Sequence, residues 1–112
     1  MKIQLEIAQN RAVLECINSA GVWQGIFEYK EFKYPFQHEG EMTYDAWVDQ
    51  GHIMLTNHII WDIIRTKYPN RTRTYANLER QGHRYKATYE KYEANSVTSK
   101  LACKRLLNVI RL

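Results

Sequence analysis

At 112 residues the chain can build one hydrophobic core but not two, so residues 1–112 are expected to form a single domain. Its 45 % hydrophobic and 25 % charged residues are the balance of a soluble globular protein and do not suggest a disordered or membrane-embedded chain. The formal net charge of +4 is unevenly laid out: residues 65–112 hold twelve basic and three acidic side chains, and residues 1–64 hold four basic and nine acidic ones. A half so rich in cations attracts polyanions, and the acidic half does not.

Residues 2–19 contain no proline or glycine and place Ile3, Ile7, Leu14 and Ile17 on one helical face, which predicts a helix ended by Gly21. The competing strand reading rests on the alternation of Ile3, Leu5 and Ile7, with a turn at Gln9-Asn10-Arg11. Residues 22–34 are aromatic and β-branched and predict extended structure or a small hairpin. Further breaks are expected at Gly25, at Pro35 and around Gly40.

Thr43 opens a short helix with Asp45 in its first turn, and Gly51 is expected to close it. Residues 53–67 predict the central core helix. Ile53, Ile60 and Ile64 form one stripe, Met54, Ile59, Trp61 and Ile63 widen it, and His58, Asp62 and Arg65 make a narrow polar ladder. Lys67 suits its end and Pro69 stops it.

Residues 73–94 predict a long polar helix, with Leu78, Tyr85, Tyr89 and Tyr92 inward and Arg80, Arg84, Lys86 and Lys91 outward. Asn95-Ser96 is expected to cap a last helix, 97–111. Its Val97, Leu101, Leu106, Val109 and Ile110 would face the core and its Lys100, Lys104, Arg105 and Arg111 water. The expected fold class is mainly α: a bundle of four to five helices with a short extended or β-hairpin segment near residues 22–34. The alternative is α+β with an N-terminal antiparallel meander.

The run Ile53 to Ile64 falls short of the roughly 20 apolar residues of a membrane span. The N-terminus lacks an apolar signal core, so no membrane association and a cytoplasmic location are expected. Cys16 and Cys103 sit among apolar neighbours and read as two buried thiols of a reducing compartment.

His38, His52, His58 and His83 lack metal-ligand spacing, and no Cys-x-x-Cys or His-x-x-x-His pair accompanies them, so no metal or other cofactor is expected. Asp45 with Asp49, His58 with Asp62, and tyrosines near arginines, as a phosphodiester-transfer enzyme would have, are the candidates for acid–base or nucleophilic work. They come without a phosphate loop, a nucleophile elbow or a dinucleotide fingerprint, and the chain is read as not an enzyme.

The segment 65–92 carries the clearest chemistry. Arginine and lysine neutralise phosphates, and tyrosine offers a face on which an unstacked base can lie. Helices 53–67 and 73–94 would resemble a helix-turn-helix in outline. The residues expected to bind nucleic acid or an acidic partner are Arg71, Arg73, Tyr75, Asn77, Arg80, Arg84, Lys86 and Lys91, with Tyr75 and Asn77 as specificity contacts.

The function expected is a small basic nucleic-acid-binding protein, on DNA or RNA, using positively charged C-terminal helices (65–112). The alternative is a protein-binding inhibitor or adaptor of a nucleic-acid-handling complex. It would dock through the acidic-aromatic stretch 23–49, where eight rings are too many for a domain this small to bury easily, through the basic face, or through a self-complementary patch in a homodimer. Compact basic proteins without enzyme motifs are common products of phages and mobile elements, an origin that would favour the inhibitor.

Overall fold

The computed structural model describes residues 1–39 and 43–111, with side chains for all of these but 37–39. The chain runs β1 (Lys2–Ile7), β2 (Asn10–Ser19), β3 (Val22–Tyr29), β4 (Phe32–Glu39), α1 (Tyr44–Lys67), β5 (Asn77–Gln81), β6 (Arg84–Tyr89), β7 (Tyr92–Ser96) and α2 (Ser99–Val109). A meander followed by a helix therefore occurs twice. The strands make two antiparallel sheets, ordered β1-β2-β3-β4 and β5-β6-β7. The mainly α bundle is thus not the fold. The architecture is α+β, and it begins with an antiparallel meander.

Two expected helices are replaced by strands. Residues 2–19 form the β1-β2 hairpin, in which Ile3, Leu5 and Ile7 are buried while Lys2, Gln4 and Glu6 face water. Residues 73–94 hold an irregular segment and β5, β6 and β7; in β6 the buried residues are Tyr85, Ala87 and Tyr89, at period two. The helix-turn-helix outline falls with that helix. In both stretches pairing with a neighbouring strand outweighs a helix preference worth only tenths of a kcal/mol per residue.

Among the described residues every hairpin closes with a two-residue loop: Ala8-Gln9, Ala20-Gly21, Lys30-Glu31, Gly82-His83 and Glu90-Lys91. Positive φ falls on Ala8, Gln9, Ala20, Lys30 and Glu90 as well as on Gly21 and Gly82. Such loops follow the twist of the strands, yet here most are built from residues that carry no turn signature. Gly21 lies in one of these loops and does not end a helix. Pro35 lies within β4, at the edge of the larger sheet, where a missing N–H is tolerated. The break expected around Gly40 falls outside the described residues.

The two short helices expected at 43–51 and 53–67 are one. Thr43 caps it, its hydroxyl accepting from the Ala46 N–H at 3.2 Å. Gly51 does not close it; it lies where α1 presses on the larger sheet, and a Cβ there would stand 2.6 Å from Leu5 Cδ1. The last helix starts at Thr98, which caps the Leu101 N–H at 3.1 Å, while Ser96 is a buried residue of β7. Leu106 faces the core, but Val97, Leu101 and Val109 are exposed.

The helices form a layer between the sheets. Trp47 and Leu55 of α1 and Cys103 of α2 join the core beneath the larger sheet. Ile60 and Ile64 of α1 and Ala102 and Leu106 of α2 join the core against the smaller one. A helix covered from both sides must be apolar around most of its girth, which is why α1 is. Cys16 and Cys103 are free and buried, and burial pushes the Cys103 thiol up to about 11. Among the described residues no helix is long and apolar enough to cross a membrane.

Candidate nucleic-acid interface

Between the end of α1 and β5 the chain turns at Pro69-Asn70, bends at Arg71 and has no regular structure over 72–76, and its burial alternates from Arg73 to Asn77. Thr74 and Ala76 turn inward, and Arg71, Arg73, Tyr75 and Asn77 are exposed. The inward backbone is tied to α1. The Asn57 carboxamide accepts from the Ala76 N–H at 2.7 Å and donates to the Ala76 carbonyl at 3.4 Å, and the Trp61 indole N–H donates to the Thr74 carbonyl at 2.9 Å. Thr74 also donates to the Tyr89 hydroxyl at 2.6 Å, and Arg71 pairs with Glu90. Both sides of the strip are thus anchored, and its outer side chains form a ledge.

Trp61 stands behind the ledge, half-buried rather than in the core. The Arg73 guanidinium lies 4.9 Å from its ring centroid, and the Tyr75 ring meets it edge-on at 5.1 Å and 90°. Tyr75 is 63 % exposed. On one side of Trp61 a recess of about 200 Å³ is lined by Arg65, Arg71, Arg73 and Tyr68. On the other a groove of about 510 Å³ opens between the edge strands β4 and β5, with Tyr34 and Phe36 on one wall, Tyr75 to Leu78 on the other, and Gln50, Ile53, Met54 and Asn57 of α1 as its floor.

His58 supports the groove from below. It is buried among Phe27, Tyr29, Phe32, Tyr34 and Trp61, with ring centroids 4.9–5.7 Å away, and its Nε2 shares a 3.0 Å hydrogen bond with the Tyr34 hydroxyl. Burial holds its pKa below the ordinary histidine value, and Arg73 lowers it further, against an upward pull from Asp62. The polar ladder on α1 is therefore not all surface: His58 is interior, and Asp62 alone pairs with Arg65, at 2.9 Å, and with Lys30, at 2.9 Å.

The other expected site residues are not on the ledge. Arg84 and Lys86 lie on the open face of the smaller sheet, which also carries Glu79, opposite Lys86, and Glu93, 3.6 Å from it. The charges there balance. Arg80 leans on Tyr85, 5.7 Å from its centroid, and Lys91 sits in the β6-β7 loop over Tyr92. The patch expected on C-terminal helices is divided, because beyond the end of α1 at Lys67 only Ser99–Val109 is helical among the described residues. That helix exposes Lys100, Lys104 and Arg105 and contains no carboxylate.

Of the eight expected site residues, Arg71 and Arg73 line the recess and Tyr75 and Asn77 the groove, on the two sides of Trp61. Sequence reasoning missed the groove because it assigned Trp61, Ile53 and Met54 wholly to the core. The period-two pattern from Arg71 to Asn77, between Pro69 and Gly82, was the available signal. Among the described residues no three His, Cys, Asp or Glu side chains gather as metal ligands. No protein-family model matches the chain, and comparison with curated proteins and with solved structures gave no significant match.

Proposed function

We propose that the protein is a nucleic-acid-binding module whose contact surface is the ledge of Arg71, Arg73, Tyr75 and Asn77 with Trp61 behind it. The observation that carries this reading is the strip anchored at Thr74 and Ala76, which leaves two guanidiniums, a phenol and a carboxamide exposed. Arginines neutralise phosphates and release counterions, and a strip already held in place loses little conformational entropy on binding. The reading is one of binding without a catalytic step. Two free, buried thiols fit a cytoplasmic setting.

The test is the salt dependence of binding to a labelled oligonucleotide. Affinity should fall steeply with salt. Arg71→Glu with Arg73→Glu should weaken binding and flatten the slope of log K against log salt by about 2, close to one unit per lost phosphate contact. Arg84→Glu, on the balanced sheet face, should change little. Undiminished binding by the Arg71/Arg73 double variant would remove the ledge from consideration.

A second reading, a protein-binding inhibitor or adaptor, is supported by α2. There Lys100, Lys104 and Arg105 share the solvent side with exposed Leu101 and Val109, which suits an acidic protein surface. Lys104→Glu with Arg105→Glu should then weaken binding to a protein partner and leave oligonucleotide binding intact.

A further inference from the structure

We infer that the ligand of this surface is single-stranded, with an unpaired base seated in the groove between β4 and β5 and the adjoining phosphates over the arginine recess. The inference rests on the nucleic-acid reading above and narrows it to one ligand class.

Three observations carry it. The groove and the recess meet at Trp61, so an aromatic compartment and a cationic one share a wall. The charge is one-sided: Arg65, Arg71 and Arg73 border the recess, Arg65 paired with Asp62 and Arg71 with Glu90, while among the described residues the groove is lined by rings, aliphatic side chains and carboxamides and by no ionised group. That division matches a nucleotide, which is flat and nearly neutral at the base and anionic at the phosphate. Finally, Gln50 and Asn77 stand at the groove with carboxamides able both to donate and to accept along a base edge.

A duplex fits less well. The faces of its bases are stacked away from protein rings, and Arg71 to Asn77 do not themselves form a helix that could enter a major groove. An unpaired strand offers a π-face to Tyr75 and to the rings of Tyr34 and Phe36, and the groove's volume of about 510 Å³ lies in the ordinary range for a small-ligand site.

The experiment compares three probes by fluorescence anisotropy at low salt: a fluorescein-labelled 15-mer of thymidine, an abasic 15-mer with the same phosphates, and a duplex of equal length. The thymidine strand should bind more tightly than the abasic one. Tyr75→Ala should remove that advantage, a loss of roughly 5- to 150-fold for one stacked base, while Tyr75→Phe keeps it. Tyr75 is exposed, so the alanine variant should fold, and its circular dichroism checks this.

Equal affinity for the thymidine and abasic strands would overturn the seated base and leave the phosphate-binding ledge standing. Tightest binding to the duplex would do the same. Failure of all three probes to bind would overturn both readings. A fourth arm uses an extended peptide of alternating glutamate and tyrosine. Should it bind more tightly than the thymidine strand and lose that affinity in Tyr75→Ala, the groove would belong to a peptide strand and the inference would fall.

Discussion

Tyr75 meets Trp61 edge to face because the residue between Tyr75 and Arg73 is held by Trp61 itself: the indole N–H bonds the Thr74 carbonyl at 2.9 Å while the ring receives Tyr75 at 5.1 Å. One side chain both anchors the strip and forms part of the surface that the strip displays. Packing and the candidate site are therefore coupled at this residue, and probes of the site are better placed at Tyr75 or Arg73 than at Trp61.

Asp62 sets the charge next to the ledge. It pairs with Lys30 and Arg65 and accepts from the Tyr29 hydroxyl at 3.3 Å. Asp62→Asn should cost about 1 kcal/mol of stability, in the range of partly exposed pairs. It should also tighten oligonucleotide binding modestly, because it removes a negative charge and releases Arg65 at the recess. Urea unfolding and anisotropy measure the two effects, and weakened binding would contradict the placement of the ligand.

Gly51 reverses an ordinary rule. In a helix interior Gly→Ala usually gains about 1 kcal/mol. Here the new methyl would stand 2.6 Å from Leu5 Cδ1 and 3.4 Å from Leu14 Cδ2, both in the buried core. Overpacking costs about 1–3 kcal/mol, so Gly51→Ala should be net destabilising. The urea midpoint should fall at unchanged m-value; a rise would mean that the helix and sheet can separate cheaply.

The β1-β2 loop is built against its own chemistry. Ala8 and Gln9 both take positive φ, 49° and 69°, where an L side chain is strained. Ala8→Asn with Gln9→Gly supplies the pair that this turn prefers and should stabilise the fold by about 1 kcal/mol. A higher melting temperature checks it.

Acid should weaken the fold from near neutrality. His52 and His58 are buried, and burial lowers both pKa values; Lys100 lowers that of His52 further, while Asp49 raises it. Above about pH 7 the histidines are neutral in both the folded and unfolded chains, and stability is level. As pH falls through about 6.5 the unfolded chain takes up protons that the folded one resists, so stability drops by up to about 1.4 kcal/mol per pH unit for each histidine. Urea midpoints measured from pH 8 to 5 should show this decline, and a flat profile would contradict it.

Some features were legible without coordinates because they are local or additive. Segregated charge is a sum over residues. The Thr43 cap and Asp45 lie within one turn of the helix they start. The aromatic run 22–34 is strand-forming on its own composition, and the apolar girth of 53–67 already called for a covered helix.

The identities of 2–19 and 73–94 were not local. Ile3, Ile7 and Leu14 satisfy a helical face as well as they satisfy two strands, although Ile17 is left exposed by the strand, and only the pairing of Leu14 with Ile3 and Phe27 selects the sheet. The hairpins that bring those partners together turn mostly on alanine, glutamine, lysine and glutamate, residues with no preference for turns. The candidate site followed the same division. The basic, tyrosine-bearing composition of the stretch after α1 could be read directly. Only the folded chain set Arg71, Arg73, Tyr75 and Asn77 on the two sides of Trp61, because Asn57 and Trp61, contributed by a different element, hold the intervening backbone.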